Sequence, residues 1–258
     1  VRMVILKSLD EIKKIKESNQ IIARLYHEVL PKYIKAGIST YELDMIIDDY
    51  MKSQGATAAT KGYGAEYGNA YPAASCISIN EVVVHGIPSK DVFLKDGDIV
   101  SVDVVPNLNG YFGDSAITYA VGEIDEESTK LLEVTKKARD IAIENLVVGN
   151  RLGDMGNAVQ NYVEGNGFSV VREFCGHGVG LKMHEEPMVP NFGRKGRGLR
   201  VENGMVLAIE PMVNVGTYKT IILSDGWTAV TKDGKRSAHF EHSVAIIDGK
   251  AVILSEYE

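Results

Sequence analysis

Apolar residues near the start of the chain recur every three or four positions, which is the spacing of one face of a helix. This pattern predicts a first helix over about residues 9–32. A second apolar stripe predicts a helix that begins at Ser39 or Thr40 and ends at Gly55, because hydroxyl side chains cap helix starts and glycine commonly follows helix ends. Runs of β-branched residues then predict strands at about 74–79, 99–105 and 115–121.

The second half of the chain repeats this order of two helices followed by strands. The predicted helices cover about residues 126–146 and 152–164, and the predicted strands cover about 168–174, 205–213 and 242–247. No proline- or serine-rich linker divides the chain. We therefore predict a single domain over residues 1–258, built from halves of roughly 1–122 and 123–258.

Glycine spacing supports the repeat. Gly37 and Gly55 frame the second helix of the first half at a separation of 18 residues (55 − 37). Gly149 and Gly167 frame its counterpart at the same separation (167 − 149). Equal spacing between turn glycines indicates that the two helices have matching lengths.

One strand of each half runs from a turn glycine to a carboxylate six residues on. The segment 97–103 reads GDIVSVD, and the segment 204–210 reads GMVLAIE. Two similar halves that face each other about a pseudo-dyad would bring these carboxylates together. A shared site is therefore expected between the halves.

Composition is that of an ordinary globular protein, with 45% hydrophobic and 24% charged residues. The formal net charge of −7 argues against general nucleic-acid binding, which needs a basic surface. No secretory signal is visible, and no apolar run approaches the roughly 20 residues of a membrane span. Cys76 and Cys175 are predicted to be buried free thiols. We expect a cytoplasmic location. The sequence leaves open whether Val1 and Arg2 are native or are left over from expression, with a natural start at Met3.

Four acidic residues stand at the ends of predicted strands, where burying a charge is costly unless it is paired or binds a metal. They are Asp103 in SVDVV, Asp114 in YFGDSAI, Glu210 in LAIEPMV and Glu241 in HFEHSVAII. If these carboxylates converge, their mutual repulsion requires cations. One lysine or arginine could not neutralise four of them, so the pattern indicates bound metal.

Three histidines are candidates to join the carboxylates. His177 lies between glycines in CGHGVG, His184 follows it in MHEEP, and His85 follows an apolar run in VVVHGIP. Four carboxylates with one imidazole fit a two-metal site for hard or borderline divalent cations. For His85 and His184, the residues alone leave a functional role and a packing role equally open.

The remaining histidines and one basic stretch are assigned structural or solvated roles. His27 lies on a charged helical stretch and is expected on a solvated face. His239 and His242 flank Glu241, and we expect both on the opposite side of the strand from it. The basic residues between 194 and 200 are expected to form a solvated loop, with a ribosome contact as the alternative.

Eight motifs, taken in order, resemble the type I methionine aminopeptidases. They span about residues 75–247 and read NEVVVHGIP, DGDIVSVDVV, GYFGDSA, EFCGHGVG, MHEEP, GMVLAIEPMV, DGWTAVTKDG and FEHSV. Any one motif is weak. Eight in order, with Asp103 and Asp114 separated by 11 residues (114 − 103), are highly specific.

The resemblance implies an α+β pita-bread fold, in which a curved, mainly antiparallel sheet with two pseudo-symmetric halves is covered by helices. It also implies two divalent metal ions per chain. By this resemblance Asp114 and Glu241 bridge both ions, Asp103 completes one site, and His177 and Glu210 complete the other. Cobalt, manganese and iron(II) are all plausible, because affinity order alone does not select the metal in a cell.

The activity implied by the resemblance is hydrolysis of the N-terminal initiator methionine of nascent proteins, with a preference for a small second residue. A water activated by the two metals attacks the scissile carbonyl, and Glu210 accepts its proton. His184 hydrogen-bonds the carbonyl oxygen, and His85 contacts the amide nitrogen. The methionine pocket is assigned to Tyr71, Cys76, Met183 and Trp227. Core packing is the alternative for Tyr71 and Cys76.

Three features depart from the family pattern. Met183 stands where phenylalanine is familiar, and His239 stands where an amide residue is expected. The stretch 61–71 is a few residues longer than the pattern. This length leaves open whether Tyr63 or Tyr67 lines the pocket.

Two other functions compete with this one. A proline-specific aminopeptidase or prolidase of the same fold usually carries an additional N-terminal domain. A catalytically dead binding protein has generally lost metal ligands, whereas all five positions here hold suitable side chains. We therefore predict a monomeric enzyme that acts on peptides with N-terminal methionine and has no membrane partner.

Overall fold

The computed structural model describes residues 3–258, so the expectation about Val1 and Arg2 lies outside the described residues. The described chain contains four α-helices: α1 (Leu9–Arg24), α2 (Thr40–Ser53), α3 (Glu126–Glu144) and α4 (Leu152–Gly165). Its strands are β1 (Thr57–Ala58), β2 (Cys76–Ile79), β3 (Val82–Val84), β4 (Ile99–Val104), β5 (Pro106–Leu108), β6 (Tyr111–Phe112), β7 (Ser115–Ala120), β8 (Ser169–Val170), β9 (Gly176–Gly178), β10 (Glu185–Val189), β11 (Val206–Ile209), β12 (Met212–Asn214), β13 (Thr220–Ile222), β14 (Ala229–Thr231), β15 (Ser237–His239), β16 (His242–Ile247) and β17 (Lys250–Ile253). Within this described part, no helix has the length and apolar character to cross a membrane.

Reciprocal hydrogen bonds fix the starts of the first two helices. At α1 the Glu11 amide donates to Ser8 Oγ (3.2 Å), and the Ser8 amide donates to the Glu11 carboxylate (2.9 Å). At α2 the same exchange joins Ser39 and Glu42, at 3.1 and 2.9 Å. Such capping boxes satisfy amides that the first helical turn leaves unpaired. Of the two predicted caps of α2, Ser39 is therefore the one used.

The first helix is shorter than its apolar spacing predicts. Regular α1 ends at Arg24, and the chain continues through a π-helical turn (Leu25–Val29) and a 3₁₀ turn (Leu30–Lys32). Pro31 prevents a return to regular helix after the π turn, because proline has no amide hydrogen and its ring crowds the preceding helical turn. The apolar face still continues through both turns into the core.

The second helix of each half has the same geometry. Helices α2 and α4 are both 14 residues long, and each is followed by a cap residue with φ −93° and ψ 5°. The framing glycines Gly37, Gly55, Gly149 and Gly167 have φ values of 94°, 79°, 108° and 83°, which glycine adopts at no steric cost. The repeat indicated by glycine spacing is confirmed for this helix. The boundary between the halves near residue 122 stays a prediction.

Antiparallel strands form the two sheets that carry the candidate site. The larger sheet has the order β10-β9-β11-β16-β17, and the other has the order β2-β4-β7. They meet where Ala116 of β7 forms a bridge with Glu241, which lies between β15 and β16. The Glu241 amide donates to the Ala116 carbonyl (3.0 Å), and the Ser115 hydroxyl donates to the Glu241 carbonyl (2.8 Å). We call this junction, formed by residues 115–118 and 239–241, the seam.

Two predicted strands are interrupted beside the candidate ligands. The strand predicted at about 205–213 is divided into β11 and β12, because Pro211 has no amide hydrogen for the ladder. The prediction of a strand over about 168–174 is wrong for most of its length, since only β8 forms there. Beyond β8 the chain leaves the sheet, and Phe174 lines a cavity. The strand predicted at 242–247 is confirmed as β16.

Two large apolar clusters hold the helices against the strands. One packs Ile22 of α1 and Leu43 of α2 with Val102 of β4. The other packs α3 and α4, through residues such as Leu131 and Val159, against β11, β12 and β16. Each pair of helices therefore covers strands that end at the seam or beside it.

The buried imidazole of His242 gives a testable contribution to acid stability. Burial, and then the charge of Arg139, lowers the pKa of His242 to about 3. In the unfolded chain its pKa is about 6.5. Between these values the unfolded state binds the extra proton, so the free energy of unfolding falls as pH falls.

We expect His242→Asn to flatten this dependence, by up to about 1.4 kcal/mol per pH unit. The asparagine amide keeps a polar atom near Ser255, which lies 2.7 Å from His242 Nδ1. Urea unfolding of the metal-free protein at several pH values between about 4 and 7 measures the effect. Equal slopes for wild type and His242→Asn would contradict the assignment.

Candidate metal centre

Three of the candidate carboxylates are brought together at the seam. Asp103 of β4 is the pairing partner of Ala116 in β7, and Ala116 bridges to Glu241. Asp114 comes immediately before β7. The three carboxylates therefore enter one cavity from adjacent strand positions.

The backbone at Asp114 is held from two sides. Its amide donates to Asn19 Oδ1 of α1 (3.1 Å), and its carbonyl accepts from the Ser243 hydroxyl (2.6 Å). Gly113 permits the close approach to α1, since a Cβ there would come within 3.0 Å of the Asn19 amide nitrogen. These contacts use only backbone atoms of Asp114, so its carboxylate remains directed to the cavity.

His177 and Glu210 come from neighbouring strands of the larger sheet. His177 in β9 is paired with Ala208 in β11, and Glu210 follows β11 directly. A Cβ at Gly176 would clash with the Ala208 carbonyl oxygen. The glycine before His177 is therefore required by the approach of β11.

The His177 imidazole presents Nε2 to two carboxylates. Its Nδ1 lies 2.8 Å from the Gly178 carbonyl oxygen, which can only accept, so Nδ1 carries the proton in the neutral ring. Nε2 lies 3.4 Å from Asp114 Oδ2 and 3.2 Å from Glu210 Oε1. A lone pair facing two anionic oxygens is repelled unless a proton or a metal ion lies between them. Although burial acts in the opposite direction, these carboxylates hold the pKa of His177 well above its usual value.

Other carboxylate oxygens of the centre make no hydrogen bonds. Asp103 Oδ1 and both carboxylate oxygens of Glu241 are buried and make no hydrogen bond within residues 3–258. Burial, and then the neighbouring charge of Asp114, raises the pKa of Asp103 and of Glu241 well above their usual values. A divalent cation would neutralise this charge and satisfy these oxygens. The residues present therefore fit a metal centre.

Two overlapping groups of donor atoms could each hold an ion. One contains Asp103, His239 and Glu241, and the other contains Asp114, His177 and Glu241. In each group the donor atoms lie within 4.8 Å of one another. Glu241 belongs to both groups, and its position between them suits a bridging ligand. Carboxylate and imidazole donors together favour hard or borderline divalent cations.

The donor cluster lies in a cavity of about 700 Å³ with an aromatic wall. The rings of Tyr71 and Trp227 meet edge to face with centroids 5.4 Å apart. Cys76 and Met183 line the same cavity. Cys76 is a buried free thiol as predicted, whereas Cys175 is free but only half-buried. The four residues predicted for the methionine pocket therefore share one cavity with the donor cluster.

Tyr63, not Tyr67, lines this cavity. Tyr67 is 86% exposed. The Tyr63 hydroxyl lies 3.0 Å from His184 Nδ1, and the two rings meet edge to face at 5.2 Å. The ring of Tyr63 also lies 6.2 Å from that of Trp227. The question that the longer stretch 61–71 left open is thus answered in favour of Tyr63.

His85 and His184 both line the cavity. The His184 ring lies 4.4 Å from that of His177, and the His85 ring packs edge-on against Phe174 at 5.3 Å. Burial lowers the pKa of both His85 and His184 to about 4, and the charge of His177 adds to the effect at His184. Both rings are therefore neutral near pH 7. Each keeps one N–H that can donate a hydrogen bond.

The expectation for His239 is wrong. Its Nε2 lies 3.3 Å from Glu210 Oε2 and 4.0 Å from Glu241 Oε2, so it shares the cavity side of the strand with Glu241. Residues two apart on an extended chain face the same way, which is the signal that could have placed His239 correctly. His242 does lie apart from the carboxylates, with Nδ1 2.7 Å from the Ser255 hydroxyl.

Two peripheral expectations concern the molecular surface. His27 is exposed, as expected, and stacks on Tyr257 at 4.9 Å. The basic residues of segment 194–200 are exposed and lie outside the strands. Contact of this loop with the ribosome stays a prediction.

The carboxylates, the imidazole and the two-sheet scaffold are characteristic of a metal-dependent hydrolase. The profile of metallopeptidase family M24 matches residues 13–248, so the chain belongs to this family. A methionine aminopeptidase of Clostridium acetobutylicum is 48% identical over 253 residues, which is 98% of this chain and 99% of that protein. The resemblance to the methionine aminopeptidases is therefore confirmed over the whole chain. Within family M24, the chain belongs to the methionine aminopeptidase branch.

Solved structures confirm the predicted fold class. The crystal structure of a methionine aminopeptidase from Thermotoga maritima matches with a TM-score of 0.94 and 42% identity, over 98% of this chain and all of that one (100%). A prolidase from Pyrococcus furiosus matches with a TM-score of 0.77 and 22% identity, over 98% of this chain and 66% of that one. The second likeness is one of fold alone, and it shows that the pita-bread architecture is shared.

Metal binding should stabilise the folded chain, because a cation relieves repulsion among buried carboxylates. Free metal at about 100 times its dissociation constant would add about 2.7 kcal/mol to the free energy of unfolding. We expect Glu241→Gln to remove most of this gain and to raise the stability of the metal-free protein. Calorimetric unfolding with and without Mn²⁺ measures both effects.

The exposed Glu202 supplies a matched control for this experiment. Glu202→Gln should leave the metal-induced gain unchanged. An equal gain in Glu241→Gln and wild type would show that Glu241 is not a ligand.

Proposed function

We propose that this chain is a metal-dependent aminopeptidase that hydrolyses the peptide bond after the initiator methionine of nascent proteins, with preference for a small second residue. The observation that carries the proposal is that a metal-binding cluster and an apolar wall lie in the same cavity. A cluster of buried, unpartnered carboxylates with His177 lies beside an apolar wall of Tyr71, Cys76 and Trp227. Metal chemistry and methionine recognition would therefore occur at adjacent positions.

Five side chains would hold two divalent ions. Asp114 and Glu241 would bridge them, Asp103 would complete one site, and His177 and Glu210 would complete the other. When bound, such ions polarise a carbonyl group and make a water acidic enough to react near neutral pH. Cobalt, manganese and iron(II) each suit the donor set, and the choice among them is left to experiment.

Glu210 would act as the base in the hydrolysis. In the metal-free chain, although burial opposes it, the neighbouring imidazoles of His177 and His239 lower the pKa of Glu210 to about 2, so its carboxylate is ionised. The attacking water would give a proton to this carboxylate as its oxygen bonds to the scissile carbon. The carbon–nitrogen bond then breaks, and the departing amine takes up a proton.

The two neutral imidazoles would guide the reacting amide. The Tyr63 hydroxyl can donate to His184 Nδ1, which leaves the proton on Nε2 to donate to the scissile carbonyl oxygen. A donor aimed at developing negative charge is a strong contributor to catalysis. His85 would contact the amide nitrogen that leaves. Both residues act as neutral donors, because the pKa of each is about 4.

The pocket presents apolar surface to the methionine side chain. The Tyr71 hydroxyl is already occupied, since its one proton is shared between the Ser75 carbonyl (2.8 Å) and the Gly86 carbonyl (3.0 Å). Burial raises the pKa of Cys76 well above its usual value, so its thiol is uncharged. Rings and a neutral thiol suit an unbranched thioether. Met183 would add a flexible wall at the same pocket.

The deciding assay is the release of free methionine from the tripeptide Met-Ala-Ser. We expect no release by the metal-stripped protein and release after anaerobic addition of Mn²⁺, Co²⁺ or Fe²⁺. Little cleavage of Xaa-Pro peptides should accompany it. Faster cleavage of Xaa-Pro peptides would favour a prolidase, and a folded protein that is inert with every metal would favour a binding protein.

His184→Ala and His85→Ala should separate catalysis from metal binding. Neither residue is proposed as a ligand, so both variants should bind metal normally. Loss of the carbonyl donor in His184→Ala should lower kcat by roughly 10²–10³-fold. Steady-state kinetics on Met-Ala-Ser and metal titration measure the two quantities. His27→Ala is the control, and wild-type kcat in His184→Ala would rule out its proposed role.

A further inference from the structure

His239 is a buried side chain whose place is fixed by its backbone. It ends β15, where it pairs with Met212 of β12, and it is 1% exposed. Its amide donates to Thr118 Oγ1 (3.0 Å), and the Thr118 hydroxyl donates to the His239 carbonyl (2.7 Å). These two bonds attach His239 to β7 across the seam. The ring therefore has a defined position beside the metal centre.

The ring of His239 faces Glu210, and its Nε2 is a buried atom that makes no hydrogen bond within residues 3–258. Nε2 lies 3.3 Å from Glu210 Oε2, while the nearest Glu241 oxygen is 4.0 Å away. The other oxygen of Glu210, Oε1, lies 3.2 Å from His177 Nε2. The Glu210 carboxylate is thus held between two imidazoles, with one imidazole at each oxygen.

Electrostatics determine whether Nε2 of His239 carries a proton where it faces Glu210. A bare nitrogen lone pair facing the oxygen of Glu210 would add repulsion to a cavity already crowded with carboxylates. An Nε2–H would instead donate to Oε2 and satisfy a buried acceptor. With no metal ion between them, a protonated nitrogen is what turns a 3.3 Å separation from a carboxylate oxygen into a favourable contact.

We propose that His239 is a positioning residue for Glu210, with its Nε2–H donating to Oε2 so that Oε1 is held towards His177. The inference rests on the proposed function only in taking Glu210 as a metal ligand and base. His239 touches neither substrate nor metal in this role. It fixes the rotation of the carboxylate that does both.

Loss of the donor should weaken metal binding, because an unsatisfied Oε2 lets the Glu210 carboxylate rotate. Partners that orient a ligand typically contribute about 10–100-fold to metal affinity. We expect His239→Leu to weaken Mn²⁺ binding to the stripped protein by about this factor. His239→Gln, whose amide can also donate a hydrogen bond, should recover most of the affinity. His27→Gln is the surface control and should bind as wild type does.

Titration calorimetry with Mn²⁺ measures these affinities without any assay of turnover. Wild-type affinity in His239→Leu would overturn the proposal. Equal weakening in His239→Gln and His239→Leu would also overturn it, because the effect would then follow the loss of imidazole rather than the loss of a donor.

A measurement on the wild-type chain separates positioning from direct ligation and does not depend on a variant folding. In protein labelled with ¹⁵N-histidine and loaded with diamagnetic Zn²⁺, we expect Nε2 of His239 to carry a proton that splits its nitrogen signal. His239→Gln assigns that signal by its disappearance. An unprotonated Nε2 would overturn the proposal and make His239 a metal ligand in the group with Asp103 and Glu241.

The outcomes for the two proposals remain distinguishable. If the loaded protein releases no methionine from any peptide, the proposed function fails. The metal affinities and the proton on His239 Nε2 still decide whether His239 positions Glu210. With an active enzyme, His239→Leu should lower kcat more than it changes KM, since Glu210 acts on water rather than on the methionine side chain.

Discussion

Repulsion among carboxylates is the constraint around which this molecule is organised. Asp103, Asp114, Glu210 and Glu241 line one cavity, and the last three are at most 8% exposed. Each is presented by the end of a strand, so the backbone rather than charge pairing keeps them together. Without a cation this arrangement opposes folding, and with one it becomes favourable. The fold is therefore arranged to bind a cation. It does not minimise the free energy of the metal-free chain alone.

The polar contacts that α1 and the turn after it make at the centre restrain the backbone and leave the carboxylates free. Asn19 accepts from the Asp114 amide, and the Tyr26 hydroxyl donates to the Ser115 carbonyl at 2.6 Å. Helix α1 supplies the first contact and the π-helical turn after it supplies the second. The π turn that shortened the regular helix thus carries a residue that holds the strand beside the metal centre.

Residue type and position sufficed to predict much of the site. An acidic residue at the end of an apolar strand is costly to bury, and few arrangements other than metal binding offset that cost for several acids at once. The four carboxylates were found in this way, His177 was singled out by its flanking glycines, and glycine spacing revealed the repeated helix. The side-chain direction of His239 was misjudged beside a break in the strand. Tyr63 could not be chosen over Tyr67, since an irregular loop has no periodicity from which to infer direction. Pro211 divides the strand predicted at about 205–213. The apolar residues on both sides of it made that stretch look like one continuous strand.

The seam has a consequence for the order in which a new copy of this protein matures. It joins Ala116 to Glu241, which are 125 residues apart in the chain (241 − 116). A growing chain exposes its earlier segments first, and folding can begin there while later segments are still being made. The carboxylate of Glu241, proposed to bridge the two ions, arrives only with the late strands. A centre that needs Glu241 can therefore bind metal only after these late strands are made, and an enzyme proposed to trim other nascent chains cannot begin before that point.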